Sequence, residues 1–138
     1  MDCYHGTNRP TAQSLVDGEI DVAKGGGELG IGFYAGEYLW VAKSWAANRF
    51  KHDAAVVKLE VPDSDYFGLE PLLLSRTDAL KQRNAIKSAS TTRTHKFNVN
   101  VVWSPIVGST RVDADQHKFE SLTAQNLLNS AKVPRGTV

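Results

Sequence analysis

Between Lys24 and Gly32 the chain reads KGGGELGIG, with glycine at five of nine positions. Glycine weakens the interior of helices and strands and has no side chain to bury, so such a density cannot pack a core. The stretch is expected to be a flexible loop that permits close backbone approach and delivers the chain into FYA. Every regular element must lie on one side of it or the other. Before it, residues 2–5 read as a short apolar and aromatic strand ended by a turn at NRP. TAQSLVDG then reads as a short helix, with Thr11 as N-cap and Gly18 as stop.

After the glycines, EYLWVAKSWAANRF (37–50) places Leu39, Ala42, Ala46 and Phe50 on one helical stripe with no Gly or Pro to interrupt it. AAVVKLEV (54–61) is the clearest strand, rich in β-branched residues and stopped by Pro62-Asp63. Residues 69–89 contain a helix capped by Ser75 or Thr77, followed by the polar SASTTRT. KFNVNVVWSPIV (96–107) is a second strand, DQHKFES (115–121) a short third one, and LTAQNLLNSA (122–131) an amphipathic helix. The closing KVPRGTV reads as a frayed tail. The order is mixed, and the strands are short and bent by Gly and Pro. That points to an α+β chain with split antiparallel sheets, not a doubly wound parallel sheet.

The chain has 138 residues, within the range of one domain, and 41% of them are apolar, enough for a core without disulfides or metal. A formal charge of +1 predicts no polyanionic partner from net charge alone. Cys3 is the sole cysteine, which excludes an internal disulfide framework and fits a reducing compartment. No secretory leader opens the sequence, and no apolar run nears the roughly 18 residues of a membrane span. The expectation is a soluble cytoplasmic protein with no membrane partner, although entry into another cell by a different route stays open.

Three stretches carry chemistry: CYHGT (3–7), GIGFYAG (30–36) and DADQHKFES (113–121). Singly, each has a structural explanation. His5 suits a hydrogen-bonded strand end, Tyr34 a core position with its hydroxyl at the surface, and Gln116 a solvated strand start. Together, YHGT, the glycine-rich entry to GIGFYAG, the helix with AKSWA, and DQHKF followed by TAQNLL resemble the diphtheria-toxin-like ADP-ribosyltransferase superfamily. Within it are the poly(ADP-ribose) polymerases, whose motifs run YHGS, GKGIYFA and a third strand leading into TAQVNL. A group of small bacterial and phage relatives shares DQxxF more closely.

That resemblance implies an ADP-ribosyltransferase-like domain over residues 1–138, with split sheets and flanking helices around an NAD+ cleft. The family cleaves the nicotinamide–ribose bond of NAD+, used as substrate without a metal, and passes ADP-ribose to an acceptor. His5 would bond the adenosine ribose, and Gly6 would offer its N–H and C=O to the nicotinamide carboxamide. Tyr34 would stack on the nicotinamide ring. Ser44 would reach the carboxamide, and Trp45 or Tyr38 would supply a second aromatic wall. Tyr4 and Thr7 of the first motif and Gly32 and Phe33 of the second join the NAD+-contacting set. His52, His95 and His117 lie apart without ligand spacing and read as surface residues.

The family's catalytic Glu falls on Gln116, which can hydrogen-bond ribose hydroxyls but carries no charge. Alternation puts Asp115 on the face of Phe119, and Gln116 with Lys118 and Glu120. With Phe119 inward, Gln116 faces the cleft and Asp115 is the reserve. An amide here argues against polymer building and for transfer of a single ADP-ribose, or for NAD+ hydrolysis. Residues 76–96 hold six Lys/Arg (Arg76, Lys81, Arg83, Lys87, Arg93, Lys96) and one acidic residue, Asp78. This excess is either a solvated face or a surface for the pyrophosphate or a nucleic-acid acceptor. The implied roles are a mono-ADP-ribosyltransferase acting as toxin, effector or phage–host modifier on a protein or nucleic-acid acceptor, with a neutralising partner possible. The alternatives are an NAD+ glycohydrolase, a degenerate NAD+ or ADP-ribose binding module, and an interaction domain whose motifs match by chance.

Overall fold

The computed structural model describes residues 1–138. Strand β1 (Asp2–Asn8) runs straight into helix α1 (Arg9–Val16). Asn8, not Thr11, is the N-cap: its side-chain oxygen accepts from the Thr11 N–H at 2.8 Å, and Pro10 occupies the first turn, where a missing N–H costs nothing. NRP is therefore a helix start and not a turn.

The glycine-rich stretch is an ordered hairpin, β2 (Gly26–Gly27) and β3 (Gly30–Ile31), leading into β4 (Phe33–Gly36). Main-chain bonds pin it: Gly27 N–H reaches the Thr92 carbonyl at 3.2 Å, and Ile31 N–H the His95 carbonyl at 3.0 Å. Gly30 has φ +97°, and its Cα lies so close to the His95 carbonyl that no Cβ fits. Close approach, rather than looseness, is what these glycines supply.

Helix α2 (Leu39–Phe50) turns Ala42 and Ala46 to the sheet and leads, through a 3₁₀ turn at Lys51–Asp53, into β5 (Ala54–Glu60). Helix α3 (Asp63–Gly68) and the two-residue strand β6 (Leu72–Leu73) follow, both too short to register as periodic patterns. Helix α4 (Arg76–Ser88) is capped by Ser75, whose hydroxyl accepts from the Asp78 N–H at 3.1 Å. Strands β7 (Val101–Pro105) and β8 (Asp115–Phe119) precede α5 (Leu122–Asn129), capped by Ser121. The tail does not fray. It forms β9 (Arg135–Thr137) against β5, and one Arg135 nitrogen donates to the carbonyls of Leu128, Ser130 and Val133.

Seven strands join in the order β6-β7-β8-β4-β1-β5-β9, antiparallel throughout except for the parallel pair β6·β7. The architecture is thus an α+β fold with one mixed sheet and five helices, where separate antiparallel sheets were expected. One rung makes the difference. β1 pairs with β5 from Asp2 to Asn8, yet meets β4 only at Tyr4↔Gly36. A seam opens between β1 and β4 beyond that rung.

Helices α1, α3 and α5 bury one sheet face through Ala12, Leu15, Tyr66, Leu69, Ala124 and Leu128, packed on Val57, Leu59, Phe33 and Phe119. On the other face α2 covers β1 and β5, and α4 packs against β7. The β2–β3 hairpin lies between them, over β4 and β8. No helix is long and apolar enough to cross a membrane.

Candidate functional site

The seam follows from hydrogen-bond phase. Met1 and Val61 exchange two bonds, ammonium to carbonyl at 2.5 Å and amide to carbonyl at 2.9 Å. Antiparallel alternation then directs Cys3, His5 and Thr7 toward β5, and turns the N–H and C=O of Tyr4 and Gly6 toward β4. Register sets Gly6 opposite Tyr34, but no rung forms there. The Tyr34 carbonyl is instead bonded by His5 Nδ1 at 2.5 Å. An imidazole stands where a main-chain bond would close the sheet.

That bond selects the tautomer. A carbonyl only accepts, so Nδ1 carries the proton and Nε2 is left as an acceptor, with no hydrogen-bond partner in the protein. The ring stacks on Phe33 with centroids 4.4 Å apart and 23° between planes. Burial pushes the His5 pKa below its ordinary value, against the opposing pull of the Tyr34 carbonyl. At neutral pH the seam therefore offers a neutral imidazole whose lone pair can take a hydroxyl proton donor.

Tyr34 and Gln116 project from the other side of the sheet, because Phe33 and Phe119 are buried in the core and side chains alternate. The Tyr34 hydroxyl donates to the Gly30 carbonyl at 2.5 Å and accepts from the Leu29 N–H at 3.1 Å. Gly27 lies against the hydroxyl end of the ring. Burial raises the phenol's pKa well above the ordinary tyrosine value. Gln116, two residues along the same face, donates from Nε2 to Glu28 Oε1 and to the Pro105 carbonyl. The three candidate catalytic residues thus lie on adjacent strands β1, β4 and β8 but not on one face, and β4 stands between Gln116 and the seam. His5 lies on the Phe33 side, and Tyr34 and Gln116 lie beneath the hairpin.

Other expected contacts stand elsewhere. Ser44 and Trp45 are exposed on α2, because Ala42 and Ala46 are its sheet-facing residues; Trp45 packs on Phe50, with Arg49 over its ring. Tyr38 is exposed at the helix start. Phe33 and Thr7 are buried, and Gly32 leaves room for the Lys118 stem. Tyr4 packs against the Ala42–Ala46–Val56 cluster. Gly6 keeps its amide toward the seam while its Cα abuts α2. Of the basic excess, Arg83 lies 3.7 Å from Glu28 and Arg76 lies 3.8 Å from Asp113.

Asp115 bonds the Trp103 indole at 3.0 Å on the core side, as the alternation requires. His117 is buried and not a surface residue. Its Nδ1 meets the Tyr66 hydroxyl at 2.6 Å and its Nε2 meets Glu37 Oε1 at 3.0 Å, so a neutral ring satisfies both partners. Burial lowers its pKa, opposed by Glu37 and Asp115. A depressed folded pKa means that His117 contributes stability above the ordinary value of 6.5, and that this contribution is lost as pH falls below it. The melting temperature is expected to fall between about pH 6.5 and 5, and His117→Gln to flatten that slope. An unchanged slope in the variant would assign the acid sensitivity to other groups.

Sequence reasoning missed Glu28 and the buried Lys118–Glu120 pair. Glu28 is the sole carboxylate among the clustered glycines, which is the one clue the sequence held. A cavity of about 510 Å³ is lined by Leu69, Glu70, Lys96, Asn98, Asn100 and Glu120 among others, away from His5, Tyr34 and Gln116. That cavity is a polar surface hollow, whereas the seam holds an imidazole with an unpartnered nitrogen. Comparison with known protein families and with curated proteins finds no match for this chain.

Proposed function

We propose that this chain is an NAD+-dependent mono-ADP-ribosyltransferase of the ADP-ribosyltransferase fold. The observation that carries the reading is the β1/β4 seam. Tyr-His-Gly, Gly-Phe-Tyr and Asp-Gln, remote in the chain, fall on adjacent strands, with an imidazole nitrogen left as acceptor on one face, no Gly6–Tyr34 rung between β1 and β4, and a phenol ring and an oriented amide on the other face. These are the donor and acceptor types that a bent dinucleotide requires.

In the proposed reaction His5 Nε2 accepts from an adenosine ribose hydroxyl, and Gly6 bonds the carboxamide through N–H and C=O. Nicotinamide packs on Tyr34, which requires the hairpin to shift from the ring. The C1′–N bond breaks, and its electron pair leaves with nicotinamide as a neutral pyridine. Gln116 bonds the hydroxyls of the ribose as positive charge develops on it. An acceptor nucleophile then forms the new bond at C1′ and releases its proton to solvent. Catalysis rests on holding the conformer and on fixed dipoles.

An amide, Gln116, at the position where the resembled family has its catalytic Glu favours one transfer over chain growth, and makes hydrolysis by water the second reading. Protein or nucleic-acid acceptors and a cytoplasmic site of action belong to the same proposal. Incubating pure protein with NAD+ labelled in the adenylate, with and without cell lysate, tests it. Nicotinamide release with label on a macromolecule is expected; release without acceptor supports hydrolysis; binding without release supports a degenerate module; no binding ends the reading. Tyr34→Ala is expected to lower nicotinamide release at least about 100-fold, with the circular dichroism of the native fold retained. Unchanged turnover would remove Tyr34 from the site, and a collapsed fold would make it a structural residue.

A further inference from the structure

We propose that Glu28, carried by the glycine-rich hairpin, is a positioning residue that fixes the Gln116 amide with its oxygen toward the reacting ribose. This deepens the transferase reading and rests on it.

A glutamine amide can rotate by half a turn at almost no steric cost, and the two orientations differ only in what they bond. Here that choice is made. Gln116 Nε2 faces two acceptors, Glu28 Oε1 and the Pro105 carbonyl, which together use both of its protons. Reversal would set the amide oxygen against a carboxylate and a carbonyl, with no proton between them. Glu28 is itself immobilised. Its Oε1 also accepts from the Val107 N–H at 3.0 Å, and its Oε2 packs against Gly108 and lies 3.7 Å from Arg83 Nε. Gln116 is buried, so this pattern holds in a site of reduced solvent screening.

The consequence is electrostatic. With Nε2 consumed, the free end of the amide is its oxygen, the negative end of the dipole. An oxocarbenium-like ribose is stabilised by that end and destabilised by the amino end. A β8 residue without formal charge thereby recovers part of what a carboxylate would supply, through a partner 88 positions away in sequence. The effect belongs to the transition state more than to the ground state, so it is expected in kcat rather than in KM.

Three variants and one spectroscopic measurement test this in the full chain, with nicotinamide release from NAD+ as the kinetic readout. Glu28→Ala is expected to lower kcat about tenfold with KM changed less than about twofold. Glu28→Gln keeps an oxygen acceptor and is expected to stay within about threefold of wild type. A direct role for the Glu28 charge would make both variants equally poor and would overturn the positioning role, as would an alanine variant of wild-type kcat. Lys24→Ala, which removes an exposed side chain at the entry to the hairpin, serves as the control for hairpin disturbance, with kcat expected unchanged; loss matching Glu28→Ala would overturn the specific role of Glu28. Independently of activity, the Gln116 side-chain ¹⁵NH₂ group is expected to show slowed proton exchange and a nuclear Overhauser contact to the Val107 amide proton. Free exchange without that contact overturns the orientation even if the alanine variant fails to fold. A wild-type protein that releases no nicotinamide overturns the transferase reading and the kinetic role with it, while the amide spectrum still decides the orientation.

Discussion

Glu120→Ala is expected to lower the unfolding free energy by about 3–5 kcal/mol. Lys118 and Glu120 are buried on the site face of β8, their side chains 0% and 1% exposed, with Nζ and Oε1 2.7 Å apart. The carboxylate also accepts from the Phe97 N–H at 3.1 Å and the Asn98 N–H at 2.9 Å. Asn98 takes φ 59°, a left-handed turn that asparagine tolerates better than most residues and that these two bonds hold. Without the carboxylate, the ammonium keeps only the His95 carbonyl at 3.3 Å and the Phe97 ring 5.2 Å from Nζ. Desolvation already lowers the Lys118 pKa against the support of Glu120, so in the variant it is expected to shed its proton or draw in water. Lys118→Met combined with Glu120→Leu removes the orphaned charge but still leaves two main-chain N–H groups unpaired. It should therefore recover part of the loss and no more. Urea unfolding of Lys118→Met, of Glu120→Leu and of the double measures the coupling. A loss below about 1 kcal/mol for Glu120→Ala would mean that water replaces the carboxylate at little cost.

Gly6→Ala is expected to cost about 3 kcal/mol and to lower the melting temperature by about 10 °C. An added Cβ would stand 2.5 Å from the Ala42 carbonyl oxygen and 3.1 Å from the Ala46 Cβ. The first contact is to helix backbone, which has no rotamer to change, so α2 must lift from β1 and uncover Val56. Adding Ala46→Gly relieves the side-chain contact alone and should restore only a minor share. Because Gly6 also turns its amide edge to the seam, nicotinamide release should fall with stability. Thermal melts within about 1 °C of wild type would show that α2 adjusts without penalty. The absent side chain at this position thus has a packing cause, whatever ligand role its main chain has.

These two results concern residues that the sequence presents very differently. Gly6 sits in a motif that attracts notice, but its steric partner, Ala42, is brought by a helix more than 30 residues later. Glu120 sits in DQHKFES, where alternation puts it with Gln116 and Lys118, yet nothing local says that the face is dry. The glycine-rich stretch misleads in the other direction. Its composition suggests slack, and its backbone is bonded to residues 92–95. Thr11 is a good N-cap residue, but Asn8 lies one turn earlier, with Pro10 behind it, and takes the role.

By itself the sequence determined what depends on neighbours within a few positions. Those features are the strand from Ala54, the helix through Ala42 and Ala46, a cap at Ser75 or Thr77 that the structure assigns to Ser75, and the parity that sets Asp115 with Phe119 and Gln116 opposite. Side-chain period and capping chemistry are written locally and need no partner to be read. Only the tertiary structure decided the rest. It joined seven strands through the single Tyr4–Gly36 rung, set His5 into the gap beyond it, and drew β9 onto β5. It also buried His117 between Tyr66 and Glu37 and laid Glu28 against Gln116. Each of these is a pairing between segments distant along the chain. Such contacts form where register, burial and unpaired polar groups are satisfied together, and no short window of residues contains both sides of that condition.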